Sequence, residues 1–388
     1  MVGRIRFLSV IIILIALTMS VRLYFLQIVH GKYYVSQAER QNINENTISY
    51  DRGAIYFESN DGQTVPAAIS RSGFTIAINP QIMKDPEGIY AKLNQILVLD
   101  RTEFLAKAAD KTRTYNKIAQ HLNSDTAEKV KALNLYGITI ATDKWRFYPG
   151  GQLAANIIGF VGYNGDQLAG RYGLERYYED VLKIDPSKKY NNFFAEFFSN
   201  VKQSLSDNPQ QEGDIVTTIE PSVQLFLENE LKATREKWSS DQAGGIVIDP
   251  MSGEIIAMAW NPTFDLNNFK DSDVKYFGNP LVEGRYEMGS IVKSLTMATG
   301  LDTGAVTAKS TYFDIGCVTL NSKKICNYDG VARGTIPMQQ VLNQSLNVGS
   351  AHVALTIGKA KFAEYMKNFG LGTETGIDLP NEGIGLFK

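Results

Sequence analysis

Covalent catalysis by a side chain needs a hydroxyl or thiol beside a base, and this 388-residue chain has few bases suited to neutral pH. Its three histidines are scattered: His30 at the end of an apolar N-terminal run, His121 in a charged stretch that reads as helix, and His352, which fits a packing or helix-surface histidine. A lysine base is the remaining route. Ser-x-x-Lys occurs at Ser199 with Lys202, Ser272 with Lys275 and Ser290 with Lys293. Both residue types are common, so the bare pattern is weak and context must separate the three. Only Ser290 follows a glycine and opens an apolar run, Ile291, Val292, Leu295 and Met297, which predicts a buried helix. Positions i and i+3 share a helix face, so Lys293 would lie over Ser290 within hydrogen-bond reach. The positive end of the helix dipole and burial both disfavour the ammonium form. A lysine at its ordinary pKa near 10.4 is only about 0.04% neutral at pH 7, so a lowered pKa is a requirement of this chemistry.

Other elements must hold that helix in place. Residues 215–219 predict a short strand, and residues 221–238 a helix with Pro221 in its first turn and Val223, Leu225, Phe226 and Leu231 as apolar positions. Residues 244–248 and 254–259 read as two strands, joined by Asp249-Pro250-Met251-Ser252-Gly253, a strong hairpin signal. Upstream, residues 51–56 predict a strand followed by a turn at Asn60-Asp61-Gly62, and residues 74–78 a second strand. From 86 to 135 the spacing is helical, as in Ile89, Leu93, Ile96 and Leu97, and residues 137–141 return to strand. Residues 183–212 are polar, with Pro186 and Pro209, and fit a linker or inserted hairpin. Within them Phe193-Phe194-Ala195-Glu196-Phe197-Phe198 forms an aromatic stripe that packs on its own domain or meets a membrane surface or partner helix.

Composition narrows the class. Apolar residues make up 44% and charged residues 21%, a globular balance. With 39 basic against 41 acidic side chains the net charge is -2, and no global field draws in nucleic acid, so a nucleic-acid function is excluded. Two cysteines and three scattered histidines supply no metal signature, and no cofactor is expected. Residues 7–21 carry no charge, follow Arg4 and Arg6, and continue past Arg22 through Leu23, Tyr24, Phe25, Leu26, Ile28 and Val29. The 23 residues from 7 to 29, at a rise of about 1.5 Å each, match a hydrocarbon core of about 30 Å. Arg22 can snorkel to the interface. No small-x-small cleavage site follows, which favours an anchor over a cleaved signal peptide. Arg4 and Arg6 would keep the tip in the cytoplasm and leave the rest exported, as a single-pass protein of the inner (plasma) membrane.

The run Tyr286-Glu287-Met288-Gly289-Ser290-Ile291-Val292-Lys293 resembles the nucleophile motif of penicillin-binding proteins. Farther on, Leu342-Asn343-Gln344-Ser345-Leu346-Asn347-Val348-Gly349 resembles that family's Ser-x-Asn motif. Phe369-Gly370-Leu371-Gly372 and Thr375-Gly376-Ile377-Asp378-Leu379-Pro380 add support. In the first exported part, Arg52-Gly53-Ala54-Ile55, Arg146-Phe147-Tyr148-Pro149-Gly150 and Gly173-Leu174-Glu175 resemble the pedestal of the monofunctional, class B members. Ser206-Asp207-Asn208 spells a serine-aspartate-asparagine motif literally, but it lies in the polar linker, too close to Ser199 and Lys202 for separate helices, and is set aside as coincidence.

The resemblance implies a fold of three parts. Residues 1–30 form a cytoplasmic tip and transmembrane helix, and 31–212 an α+β pedestal (dimerisation-type) domain with its linker at 183–212. Residues 213–388 form a partial penicillin-binding/β-lactamase-like transpeptidase domain, an α/β sandwich around an antiparallel sheet. It implies acyl transfer, in which Ser290 attacks the penultimate D-alanine carbonyl of a peptidoglycan stem peptide, Lys293 takes its proton and the terminal D-alanine leaves. Ser345 relays a proton to the leaving nitrogen, and Asn347 bonds Lys293 and the substrate amide. An amine from a neighbouring stem then completes the cross-link, and a β-lactam stalls at the acyl stage. The backbone N–H of Ser290 would supply half of an oxyanion hole. Stem peptides ending in D-Ala-D-Ala, β-lactams, membrane lipid, a polytopic glycan polymerase and a division or elongation complex are the partners so implied.

The family's third motif, Lys-Thr/Ser-Gly, does not occur between Asn347 and Lys388. The sequence therefore reads as truncated, and these 388 residues are expected to resist acylation by a labelled penicillin. The same serine-lysine pair with water as acceptor would give a D,D-carboxypeptidase or β-lactamase, which the anchor and pedestal motifs oppose. A non-catalytic scaffold regulating a glycan polymerase is the reading from another class. Finally, a two-residue turn at Asn321-Ser322 would set Cys317 opposite Cys326, either as a disulfide, which an exported compartment permits, or as two independent thiols.

Overall fold

The computed structural model describes residues 52–164, 167–184 and 213–386, with Met19 and Arg22 as isolated helical positions. The apolar N-terminal run, His30, the linker with its aromatic stripe, Ser199 with Lys202, and Ser206-Asp207-Asn208 lie outside the described residues. Among those described, no helix is long and apolar enough to cross a membrane. The chain forms two compact units, one of Met1–Pro149 with Asp180–Thr217 and one of Gly150–Glu179 with Thr218–Lys388.

In the first unit, β1 (Ile55–Glu58), the long β2 (Thr64–Ile78), β3 (Asn116–Leu122), β4 (Ile138–Phe147) and β5 (Ile215–Thr217) make one five-stranded sheet. The first part of β2 pairs antiparallel with β1, and its second part lies between β3 and β4, in a register running from Ile69 opposite Phe147 to Ile78 opposite Ile138. β5 joins β1 in parallel. Helices α1 (Pro86–Leu93), α2 (Arg101–Ala109) and α3 (Ser124–Ala132) each begin at an Asp or Asn whose side chain accepts a first-turn N–H. They close the core around Ile76, Ile78, Leu93, Phe104 and Val130.

Two expectations for this unit need correction. The helical spacing read across 86–135 is interrupted by β3, whose pairing with β2 overrides its local pattern. His121 consequently sits in a strand, at φ 59°, with its ring stacked 4.2 Å from that of Trp145.

In the second unit, α4 (Pro221–Trp238) starts as the sequence indicates, with Pro221 in its first turn and the Glu220 carboxylate accepting from Val223 N–H. It packs on a hairpin of β6 (Ala243–Ile248) and β7 (Ile255–Asn261). The face it buries takes in part of the apolar set the sequence suggests: Val223 and Leu231 are half-buried, and Leu231 lies against Gly245 of β6. Leu225 and Phe226 are exposed, whereas Gln224 is fully buried. Gln224 satisfies both ends of its amide on one strand residue, donating to the Met258 carbonyl at 2.9 Å and accepting from its N–H at 2.9 Å.

Each unit is made of two segments of the chain. Residues 213–217 belong with the first unit through β5. Gly150–Glu179 belongs with the second, because buried groups fix it there. The Ala154 N–H donates to Glu228 Oε1 at 2.8 Å, Asn156 Nδ2 donates to the carbonyls of Tyr276 (2.7 Å) and Gly278 (2.6 Å), and Phe160 stacks on Phe269 at 4.0 Å.

The remainder of the second unit carries the candidate site. A 3-10 turn, Gly289–Ile291, leads into α5 (Val292–Asp302). Next come β8 (Thr311–Asp314), the hairpin β9 (Cys317–Leu320) with β10 (Lys323–Cys326), and β11 (Gly334–Pro337) paired with β8. The short helix Gln339–Asn343, α6 (Asn347–Ile357) and α7 (Lys359–Asn368) follow. Their core is Met297, Val306, Tyr312, Met338, Val341, Leu346, Val348 and Val353.

Candidate active site

Close packing of α5 on α6 brings the two sequence motifs together; Gly300 permits that approach, and Gly349 permits α6 to lie against the short helix Gln339–Asn343 and β8. A Cβ on Gly300 would stand 2.7 Å from Val353 Cγ1 and 2.9 Å from Val306 Cγ2. One on Gly349 would stand 2.4 Å from Val341 Cγ2. The helix α5 is less buried than its apolar run suggests. Thr296, Met297, Thr299 and Gly300 face the core, while Ile291 is 61% exposed because the turn before α5 lies at the surface.

Ser290 lies in that turn, exposed, and Lys293 lies one turn on, half-buried. Lys293 Nζ is 3.2 Å from Ser290 Oγ, 2.7 Å from the Ser345 carbonyl oxygen and 3.0 Å from Ser345 Oγ. All three oxygens can accept from Nζ, and in the neutral form of the amine the Ser290 hydroxyl can instead donate to its lone pair. Burial pushes the Lys293 pKa below the ordinary lysine value, in the direction a general base requires.

Ser345 reaches Lys293 because of its backbone. It has φ 51°, left-handed and uncommon for a residue with a side chain. The helix Gln339–Asn343 ends there, with the Ser345 N–H donating to Leu342 O at 3.2 Å and the Leu346 N–H to Val341 O at 2.8 Å. This is a Schellman arrangement in which Ser345 takes the place usually given to glycine. The only sequence trace of it is a polar Asn343-Gln344-Ser345 between apolar residues, a helix stop without glycine.

Asn347 opens α6 beside this turn, but its carboxamide does not bond Lys293. Nδ2 donates to the Cys326 carbonyl at 2.8 Å. That carbonyl comes from the β9–β10 hairpin, where Asn321 and Ser322 both have positive φ, Cys317 faces Cys326 in register, and the two cysteines form a disulfide. A two-residue turn of this kind fixes the register, which is why the pairing was legible from spacing.

The remaining candidates fall elsewhere. Lys275 is paired with Asp273 at 2.9 Å and lies near the ring of Tyr276, and its pKa is raised by the Asp273 carboxylate, opposite to what a base beside Ser272 needs. The His352 ring stacks on Tyr312 at 5.5 Å. Among the pedestal motifs, Arg146 donates to the Gly53 carbonyl at 2.7 Å within the first unit, and Glu175 is fully buried in the second. Among the described residues no cluster of His, Cys, Asp and Glu could hold a metal ion.

Two family models match the chain: the penicillin-binding protein dimerisation domain over residues 47–218 and the penicillin binding protein transpeptidase domain over 243–388. Stage V sporulation protein D of Bacillus subtilis is 28% identical over 391 residues, covering 99% of this chain and 59% of that protein. Peptidoglycan D,D-transpeptidase MrdA of Acinetobacter baumannii is 28% identical, covering 99% and 61%. Peptidoglycan D,D-transpeptidase FtsI of Escherichia coli is 26% identical, covering 94% and 61%. The chain thus spans about three fifths of the length of these curated relatives. The crystal structure of penicillin binding protein 2X from Streptococcus thermophilus shares the fold, with a TM-score of 0.65 at 19% identity over 87% of this chain and 54% of that one. With the serine-lysine pair and the Ser-x-Asn turn assembled at one place, and both domain models matched in order, the chain belongs to the class B penicillin-binding proteins.

Proposed function

We propose that this chain serves a peptidoglycan D,D-transpeptidase, with Ser290 as nucleophile, Lys293 as its general base, Ser345 as proton relay and Asn347 as a substrate ligand. The observation that carries the reading is the convergence of Lys293 Nζ on Ser290 Oγ and on both oxygens of Ser345. As Ser290 Oγ bonds to the penultimate D-alanine carbonyl, its proton passes to the Lys293 lone pair. When the tetrahedral intermediate collapses, Lys293 returns a proton through the Ser345 hydroxyl, 3.0 Å away, to the departing D-alanine nitrogen. An acceptor amine then reverses these steps and frees Ser290. Asn347, with Nδ2 engaged by Cys326, keeps Oδ1 for a substrate N–H. A β-lactam carbonyl enters the same path and stops at the ester. Residues 7–29 anchor the chain in the inner (plasma) membrane, with stem peptides, a glycan polymerase and a division or elongation complex as its partners.

The test is a Ser290→Ala substitution at the chromosomal gene, followed by measurement of cross-linked muropeptides. Cross-linking attributable to this gene should be lost while the protein level is kept. Unchanged cross-linking would rule out the assignment.

A further inference from the structure

Behind the Ser345–Asn347 turn lies a polar cluster that the acyl-transfer reading does not use. Asp314 is 0% exposed and Asn327 3% exposed. A buried carboxylate needs hydrogen bonds to its oxygens. Asp314 receives them from the backbone N–H groups of Gly316 (3.3 Å) and Arg333 (3.2 Å) and from Asn327 Nδ2, 2.9 Å from Oδ2 and 3.1 Å from Oδ1. Nδ2 also faces the Val331 carbonyl at 3.4 Å. With Nδ2 held by acceptors, the carboxamide can point only one way. Its Oδ1 accepts from the Val348 N–H at 3.2 Å.

That contact falls at a position of consequence. Val348 is in the first turn of α6, the helix that Asn347 opens, and the N-cap residue Leu346 offers no side-chain cap. First-turn N–H groups of a helix need outside partners. Asn327 supplies one from 21 residues away in sequence, while the adjacent Cys326 carbonyl holds Asn347 Nδ2. On the other side of the turn, Arg333 Nε donates to Gln344 Oε1 at 2.7 Å, beside Ser345. Both flanks of the turn therefore hang on one buried anchor. A well-packed apolar pair of similar volume commonly matches or exceeds a buried polar pair in stability, so stability alone does not account for these groups.

We propose that Asn327, oriented by Asp314, is a positioning residue for the site: it sets where α6 begins and thereby where the Ser345 carbonyl meets Lys293 and where the Asn347 carboxamide lies. Its functional meaning rests on the acyl-transfer reading above; its geometric content does not.

The test compares the full chain with Asn327→Ala, Asn327→Asp and the double variant Asp314→Asn with Asn327→Asp. Three readouts are taken: exchange of the Val348 amide, the titration midpoint of Lys293 from its 13C-labelled side chain, and the melting temperature. Asn327→Ala should speed Val348 exchange about tenfold and move the Lys293 midpoint toward that of an ordinary lysine. Asn327→Asp sets two carboxylates against each other and should do the same. The double variant restores one donor between the two side chains and keeps an acceptor for Val348, at the loss of one Asp314 acceptor for the Gly316 or Arg333 N–H, so both readouts should return part of the way. If Asn327→Ala lowers the melting temperature but leaves Val348 exchange and the Lys293 midpoint unchanged, Asn327 is a packing residue and the proposal is overturned. If Asn327→Ala does not fold, the comparison of Asn327→Asp with the double variant decides, and failure to restore overturns it. Should Lys293 of the unsubstituted chain titrate as an ordinary lysine, the acyl-transfer reading fails, and Val348 exchange alone then decides the positioning role.

Discussion

Lys293 meets Ser345 twice, at its carbonyl (2.7 Å) and at its hydroxyl (3.0 Å), and Ser345 makes both contacts from a left-handed backbone. The second motif of the site is thus a helix end in which backbone shape contributes as much as side-chain chemistry.

This separates stability from function at one residue. A left-handed residue with a side chain costs roughly 1–2 kcal/mol more than glycine would at the same place. Ser345→Gly should therefore keep or raise the unfolding free energy, by up to about 1 kcal/mol, while removing the Oγ contact with Lys293. Ser345→Ala should lose the same contact without the gain. Urea titration of both variants checks the difference; a Ser345→Gly variant much less stable than Ser345→Ala would contradict the strain argument.

The distance between α5 and α6 is set by Gly300. An added Cβ would lie 2.7 Å from Val353 Cγ1, so the helices must part or a valine must leave its rotamer. Gly300→Ala should cost about 1–3 kcal/mol and lengthen the Lys293–Ser345 contact, seen as a Lys293 titration midpoint moving toward the ordinary value. No change in either quantity would show that α6 is positioned by other contacts.

Glu228 offers a pH test in the same unit. Burial raises its pKa, against the hydrogen bonds from Gln224 and the Ala154 N–H. A raised folded pKa means stability that is present below the unfolded value, near 4.5, and lost as pH rises through the folded value. Glu228→Gln keeps the acceptor oxygen and removes the charge. Its melting temperature should match that of the unsubstituted protein near pH 4 and exceed it increasingly toward neutrality. Parallel curves for the two proteins would contradict burial as the cause.

Much of this was legible in the sequence for physical reasons. Pro221 announced α4 through its fixed φ, and the Asn321-Ser322 turn fixed the Cys317 and Cys326 register, because both are local constraints. Ser290 and Lys293 share a face by helical periodicity alone. What was not legible depends on tertiary partners. β3 is a strand because β2 is beside it, and Gln224 rather than Phe226 is buried because Met258 presents both a donor and an acceptor. The direction of the Asn347 amide likewise depends on Cys326, which no spacing rule connects to it.

The central claim is that Lys293 is depleted of its proton relative to an ordinary lysine while facing Ser290. The direct measurement is the titration of the Lys293 13Cε signal, assigned by comparison with Lys293→Arg. The expected midpoint lies below about 10.4, lowered by burial, with the fraction able to activate Ser290 rising with pH through it. A midpoint at or above that value would leave Ser290 without a base and contradict the account.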